Sequence, residues 1–476
     1  MNSNPTPASS RTQHRFNYVI FVFALVGLSL VQVLVWNLIL FPQWTAKDHL
    51  NGALRQNFLL SVASNTTGVS GSSISQSPLR NGANSIYRGT SQGGTTTIAY
   101  AISFTSCNDV SSGLLIDAAA VLKHSIHSNS IKSSTKSSKY DYQMFAFVHP
   151  DAKPCFFSEG NNESILETRL GYRVLIRDTP IDVTKISSEF LKTTVVKRGC
   201  CGEKEFIKLY AYELVSYEIV VHLDLDTLIL HPLDDLYDAM LEPQNDLVRN
   251  RLQIMYPGTQ QIPKHIKAFF TRDYGMISPG KKQVPVQGGF LIVRPNITVL
   301  EEFKSIILTH EHRRGSGWGG SGYGGFYGAQ QIQGLVPYYY DVLHPGNAVE
   351  LNPCQYNNMA QSLHGSPNNP DHRGKCRTLE SPCEDCFAVD PKIVKTFHFT
   401  NCPKPWLCHV PPQGTHIHSM CRFMIHEWYL MKKELDKVLN SNVCTSSDNQ
   451  DINDVFCHCC RHSGQQGLKL LNFDTS

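Results

Sequence analysis

The chain has 476 residues, with 43 Lys and Arg against 40 Asp and Glu, a formal net charge of +3 and a charged fraction of 17%. That length admits one large domain or two ordinary ones with appendages, and so even a charge balance leaves no electrostatic footprint for nucleic acid. With charge below the roughly one quarter usual for globular chains, the surface is expected to be polar more than charged.

The first element in chain order is apolar. No charged residue occurs from Phe16 to Ala46, and Tyr18 to Phe41 is almost wholly hydrophobic. At about 1.5 Å rise per residue, 18–41 matches the roughly 30 Å hydrocarbon core, with Trp36 and Trp44 placed for the far interface. Arg11 and Arg15 precede it, which puts 1–17 in the cytosol and the rest in the lumen, a single-pass type II topology. A cleaved signal peptide is the rival reading, but its apolar region is about half as long and ends at small residues.

All 15 cysteines, Cys107 through Cys460, lie beyond that span, where disulfides are the default. Cys383-x-x-Cys386 and Cys457-x-Cys459-Cys460 could instead hold zinc, and the odd count leaves at least one thiol unpaired or intermolecular. Asn-x-Ser/Thr sequons at Asn65, Asn162 and Asn296 fall on the same side. From Asn65 to Gly94 the chain is dominated by Ser, Gly, Asn and Thr with no apolar period, the composition of a flexible stem. The resulting organisation is a cytosolic tail at 1–17, an anchor at 18–41, a stem at 42–96, a folded domain at 97–440 and a Cys-containing tail at 441–476.

From Thr97 onward, strand and helix patterns alternate. TTIAYAISF reads as a strand, and GLLIDAAAVLKHSI as a helix with Leu115, Ala118, Ala119 and Leu122 on one stripe. YQMFAFVHP is a second strand, LETRLGYRVLIRD a helix end and a third strand, and EKEFIKLYAYEL places Ile207, Tyr210, Ala211 and Leu214 at helical spacing before the strand YEIVVHLDLD. Such alternation predicts an α/β domain with a parallel-rich sheet, whose ligands bind beyond the carboxyl ends of the strands.

Asp224-Leu225-Asp226 stands at such an end. One carboxylate could ligate a divalent cation and the other reach it as the chain turns, so that Mn²⁺ or Mg²⁺ would neutralise a leaving diphosphate. A solvated turn is the alternative reading. An aspartyl-phosphate nucleophile is disfavoured, because Thr227 lies three residues after Asp224 where that chemistry's motif has its Thr four residues on. Farther along, TFHFTNCPKPW carries His398, Lys404 and Trp406 in one short segment. A neutral imidazole could complete the cation's coordination, and the Lys404 ammonium could pair with phosphate.

These segments together resemble glycosyltransferase family 8, the glycogenin-like group, from about Thr97 to Trp406. FIKLYAYELVSYEIVVHLDLDTLILHPLDDLYD resembles its helix, strand and Asp-x-Asp run, VQGGFLIVRPN its next strand, IQGLVPYYY its Gln-Gly-Leu segment, and HFTNCPKPW its His and Lys-Pro-Trp spacing. The resemblance implies a GT-A (Rossmann-like) fold and a Mn²⁺-dependent transferase that moves a hexose or pentose with retention. The donor would be a nucleotide-diphosphate sugar, usually a UDP-sugar, and the acceptor a glycan or glycoprotein. Carried over by position, Asp224, Asp226 and His398 would ligate the metal and Lys404 would hold the diphosphate. Lys208, Gln287, Gly288 and Gly289 would face the donor sugar, with Gln333 and Gly334 near the reacting sugar.

Three positions depart from the family. Ile332 stands where it commonly has an Asp before Gln-Gly-Leu, Gln287 replaces a common Asn, and Asn401 replaces the Gly after the metal His. Without a carboxylate at 332, the alternative is a non-catalytic nucleotide-sugar or glycan binding protein with a degenerate site. No carboxylate stands at Gln287 or Gln333 either, which favours attack on the same face within an ion-pair-like state over double displacement. The base pocket is expected around Phe104 to Asn108 without a residue-level pattern.

GSGWGGSGYGGFYG, Gly315 to Gly328, reads as a loop, either a flap with aromatic faces for sugar rings or a surface insertion. Tyr338 to Tyr340 reads as a strand after Gln333-Gly334. Met424, Trp428, Met431, Leu435 and Val438 define an amphipathic helix packed on the domain. The location expected is the Golgi membrane, with the endoplasmic reticulum as the alternative, since FDTS carries no retention tetrapeptide.

Overall fold

The computed structural model describes residues 96–438, apart from short segments at 108–111, 131–137, 159, 161, 256–260, 366–368, 381, 410, 412–413 and 415. The anchor at 18–41, the stem, Asn65 and the tail at 441–476 lie outside the described residues. Among the described residues, no helix is long and apolar enough to cross a membrane. All of them belong to one compact unit.

In chain order the elements that position the site are β1 (Thr97–Phe104), α1 (Ser112–Ser130), β2 (Asp141–Val148), β3 (Arg173–Ile176), β4 (Val220–Leu223), β5 (Thr227–Ile229) and α2 (Asp234–Leu241). They continue with β6 (Ala268–Arg272), β7 (Val286–Val293), α3 (Ile297–Thr309), β8 (His312–Arg313), β9 (Gly317–Trp318), α4 (Ile332–Pro337), β10 (Ala348–Glu350), β11 (Thr396–His398) and α5 (His416–Val438).

Seven strands form the main sheet in the order β10-β6-β7-β4-β1-β2-β3. β3, β2, β1 and β4 run parallel, as do β10 and β6, while β7 pairs antiparallel with both β4 and β6. The expected parallel-rich α/β sheet is therefore present, with one reversed strand. The chain leaves β1 toward β2 on one side and returns to β4 on the other, so the carboxyl ends of β1 and β4 flank a switch in strand order where α/β sheets open a crevice. β4 and β7 are buried at every residue, which explains their continuous apolar runs.

Apolar side chains cover both faces. On one, Ala118, Ala119, Leu122 and Ile126 of α1 pack with Met424, Ile425 and Trp428 of α5; on the other, Phe206 and Ile207 pack with Phe303 of α3 and Leu335 of α4. α1 is buried well beyond its expected stripe because α5 covers its outer side; Lys432 of α5 lies 3.7 Å from Asp117 and 3.3 Å from Asp436, all three buried. Met424, Trp428 and Leu435 fall inside as predicted, but Val438 is 40% exposed.

Three local expectations change. EKEFIKLYAYEL lies in a 3₁₀ segment, Gly202–Glu213, and not in an α-helix. Tyr338–Tyr340 is helical, continuing α4 with a wider turn through Leu343, because the three rings pack inward on Phe303, Phe270 and His310. Outside β9 the glycine-rich stretch is a loop, but Trp318 and Tyr323 are core side chains, with the indole donating to Ala329 O at 3.0 Å, and of its aromatic rings only Tyr327 is largely exposed. The disulfide default holds at Cys383 and Cys386, which bond Cys376 and Cys354 respectively and so form no zinc pair.

Candidate active site

The Asp-x-Asp run bridges two sheets. Asp224 follows the last residue of β4, and its amide donates to Gly289 O of β7 at 2.9 Å. The chain then turns through Leu225 and Asp226 into β5, which pairs antiparallel with β11 and sets His398 opposite Thr227. Phe399 N donates to Asp226 O at 2.8 Å, so the segment after β11 is pinned to the second aspartate. A contact between residues more than 170 positions apart thus follows from the β5–β11 register.

The side chains converge as that backbone requires. Asp224, Asp226 and His398 each bring a ligand atom within 4.8 Å of the others. His398 Nε2 lies 3.2 Å from Asp226 Oδ1 and 3.9 Å from Asp224 Oδ2, and 2.7 Å from Thr400 Oγ1. Two carboxylate oxygens and one imidazole nitrogen are a donor set that suits Mn²⁺ or Mg²⁺. A cradle is present too: a Cβ on Gly289 would stand 2.5 Å from Asp224 Oδ2 and 2.5 Å from His398 Cε1, so only glycine leaves room for this convergence. The residues therefore fit a divalent cation.

Two lysines balance the acids. Lys404 ion-pairs with Asp226 and donates to Phe399 O at 2.7 Å. Lys208 Nζ lies 2.7 Å from Asp224 Oδ1, 3.2 Å from Gly288 O and 3.7 Å from Glu205 Oε1. Burial by itself would raise both aspartates, but Lys208 and His398 lower Asp224, and His398 with Lys404 holds Asp226 far below the usual carboxylate range. Burial likewise opposes charge on Lys208, yet Asp224 and Glu205 raise it, so it stays an ammonium. Behind the site, burial and then Lys208 push His222 down to about 3; its Nε2 pairs with Ser103 Oγ at 2.7 Å.

Glu205 was not singled out from the sequence. In a 3₁₀ segment residues three apart eclipse, which stacks its carboxylate over Lys208. It is buried, and its pKa is raised by desolvation against the pull of Lys208. Its signal was present in the spacing Glu205-x-x-Lys208, which makes the two side chains neighbours on any helix, but the spacing says nothing of their burial. Asp273, whose carboxyl burial raises to about 6, is a second buried acid within electrostatic reach of His398.

The remaining expected residues divide. Gln287 bonds locally, its Oε1 accepting from Gly289 N, and Gly288 packs against Ile332, whose Cγ2 would be 3.2 Å from an added Cβ. Ile332 is thus a core side chain beneath β7. Gln333 abuts Gly328, and Gly334 lets α4 close on Ala329, whose carbonyl oxygen would be 2.1 Å from an added Cβ.

Beside this cluster a cavity of about 530 Å³ opens at the carboxyl end of β1, lined by Thr105, Ser106, Asp151, Arg198, Cys201 and Lys204 among others. Thr105 to Cys107 fall where a base pocket was expected. The cavity wall joins the cluster through Glu205, whose Oε2 lies 3.9 Å from Cys200 Sγ.

No known family matches this chain by sequence, and no curated protein does. Solved structures do resemble it distantly. Mouse xyloside xylosyltransferase 1 is 11% identical over 65% of this chain and 99% of its own, with a TM-score of 0.33. The galactosyltransferase LgtC, in complex with donor and acceptor sugar analogs, is 13% identical over 71% and 96%, also at 0.33. The glycosyltransferase GlyE of Streptococcus pneumoniae is 10% identical over 71% of this chain and 63% of its own, at 0.33. At that distance none of them bears on function, which rests on the site's own geometry.

Proposed function

We propose that this chain is a retaining glycosyltransferase of GT-A type that moves a hexose or pentose from a UDP-sugar to a glycan or glycoprotein acceptor. The observation that carries the reading is the convergence of Asp224, Asp226 and His398 around the space left by Gly289, with Lys208 and Lys404 on either side. Asp224, Asp226 and His398 would hold Mn²⁺ or Mg²⁺. When bound, the cation supplies Lewis-acid stabilisation to a departing diphosphate.

The protein's own groups do the rest. Lys404 carries positive charge at the edge of the site, 34% exposed, where it can pair with a phosphate in exchange for Asp226. Lys208 fixes Asp224 and presents an ammonium beside the Gly288 carbonyl, where sugar hydroxyls would approach bare backbone. Glu205 sits behind Lys208 at 3.7 Å, occupied by that pair, so same-face attack within an ion-pair-like state remains the favoured route. The cavity at Thr105 and Ser106 would take the nucleotide.

The compartment belongs to the same proposal: a Golgi membrane protein anchored by one helix at 18–41, with the endoplasmic reticulum as the alternative. The disulfides Cys107–Cys155, Cys354–Cys386, Cys376–Cys383 and Cys402–Cys421 support an oxidising lumen. Burial of Ile332, which leaves no carboxylate at that position, favours the second reading, a nucleotide-sugar or glycan binding protein without turnover.

The test is Mn²⁺-dependent release of UDP from a panel of UDP-sugars, beside an Asp226→Ala control. Release with one donor, abolished by the substitution, establishes the transferase. Metal-dependent UDP binding without turnover in the presence of glycan acceptors establishes the binding protein, and no UDP binding overturns both.

A further inference from the structure

Two cysteines stand apart in the cavity wall. Cys408 and the four pairs above are disulfide-bonded, whereas Cys200 and Cys201 are the described cysteines outside a disulfide. They are adjacent in sequence, and their sulfurs are in contact at 2.6 Å. Gly199 and Gly202 flank them at φ +68° and +61°, backbone that glycine takes readily and other residues rarely. At Gly202 an added Cβ would also lie 2.8 Å from Val196 O, so the loop's tight curve needs glycine there. Cys200 is exposed and therefore reachable by a partner in solution.

We propose that Cys200 and Cys201 form a reversible vicinal disulfide in the wall of the cavity beside Glu205. This inference rests on the oxidising compartment proposed above but not on the transferase chemistry. The oxidant is a disulfide, protein or small molecule, of the kind an oxidising compartment supplies. The Cys201 thiolate attacks one of its sulfurs, forming a mixed disulfide and expelling a thiolate. The Cys200 sulfur, giving up its proton, then attacks Cys201 Sγ, closing the ring and expelling the second thiolate. Two S–H bonds are lost and one S–S bond is formed, and the oxidant takes two electrons and two protons to become two thiols.

Two physical features favour this chemistry here. Contact with Cys200 pulls the Cys201 thiol down to about 7, although burial opposes it, while the same contact and then burial push Cys200 up; one proton shared between two sulfurs leaves a nucleophile near neutral pH. Adjacent Cα atoms are about 3.8 Å apart, against roughly 4.4–6.8 Å across an ordinary disulfide, so a bond between neighbours is strained and easily reduced. Closure would also withdraw the thiol that faces Glu205 and the one hydrogen-bonded to Thr105, coupling the bond to the shape of the cavity.

Cleavage after Arg198 and Lys204 isolates Gly199–Lys204, a peptide with both cysteines and no other. The full chain, made in a secretory host and blocked with N-ethylmaleimide before denaturation, is expected to give this peptide unlabelled and lighter by two hydrogens than the dithiol. Brief mild reduction should raise its double labelling on the order of ten-fold while Cys354 and Cys386, both buried, stay unlabelled. In Cys201→Ser, Cys200 should take maleimide without reductant. Double labelling before reduction, in protein whose Cys354–Cys386 bond is intact, overturns the proposal. So does either cysteine joined to any residue other than its neighbour.

Discussion

Gly289 and Asp224 face each other across the β4–β7 ladder, with the Asp224 amide bonded to the Gly289 carbonyl, and the missing side chain of the first is the space into which the carboxylate of the second turns. A divalent cation held at this site would therefore depend on an absent methyl group as much as on any ligand.

Gly289→Ala is accordingly expected to weaken Mn²⁺ binding by at least ten-fold, because its Cβ would meet Asp224 Oδ2 and His398 Cε1 at 2.5 Å each. Both neighbours are side chains that can swing aside, so the cost to folding should stay within about 1–3 kcal/mol. Titration of Mn²⁺ by electron paramagnetic resonance, beside a urea melt, separates the two effects.

Lys208 should prove more costly to remove than its place on a surface-like sequence suggests. Lys208→Met leaves Asp224 and buried Glu205 without their cation, and breaking a buried pair costs about 3–5 kcal/mol. Adding Glu205→Gln should recover a measurable part, since the second acid is then neutral. A double-mutant cycle by urea unfolding checks this, and additivity of the two changes would count against the contact.

At the carboxyl end of β6, Arg272 donates to Glu350 at 2.7 Å, to Asp341 at 2.8 and 2.9 Å and to Val284 O at 2.7 Å, all from a buried guanidinium. It ties β6 to β10 and to the helical turn after α4. Arg272→Met is expected to destabilise by about 3–5 kcal/mol, because it takes the guanidinium away from buried Glu350 and from Asp341 together. Lys in the same place should rescue only partly, lacking the planar fork. Thermal melts of the two variants decide it.

The pH dependence of stability should carry the mark of Lys123. Burial lowers its pKa from 10.5 to about 7, so between those values the unfolded chain binds a proton that the folded chain does not. Stability must then rise with pH through that window, by about 3–5 kcal/mol from this group, and the contribution is absent from Lys123→Met. Urea unfolding at about pH 7 and about pH 10, for both proteins, measures the difference in slope.

Much of this was legible in sequence. The alternation of Ile98-rich β1, Ala-rich α1 and the run Ile219–Leu223 gives an α/β domain, because burial on both faces demands continuous apolar strands. Asp224, Asp226, His398 and Lys404 were legible as chemistry, since few side chains suit a divalent cation and a phosphate. Glu205 was not, because Glu-x-x-Lys on a helix is ordinarily a surface pair and only the tertiary packing that brings Lys208 to Asp224 buries it. Nor was the burial of Trp318 and Tyr323, where loop composition suggested aromatic faces for sugar rings, or that of Ile332, which the sequence marked only as a missing carboxylate and which packs against Gly288.

Periodicities, donor types and turn-forming glycines are properties of residues and their near neighbours, and are set along the chain before it folds. The tertiary structure decided which of them meet. Asp226 reaches His398 only through the β5–β11 register, Asp224 reaches its space only because Gly289 falls opposite it on β7, and Cys200 meets Glu205 only where the 3₁₀ segment begins. Such contacts depend on strand order and register, which a local pattern constrains to a face but never to a partner.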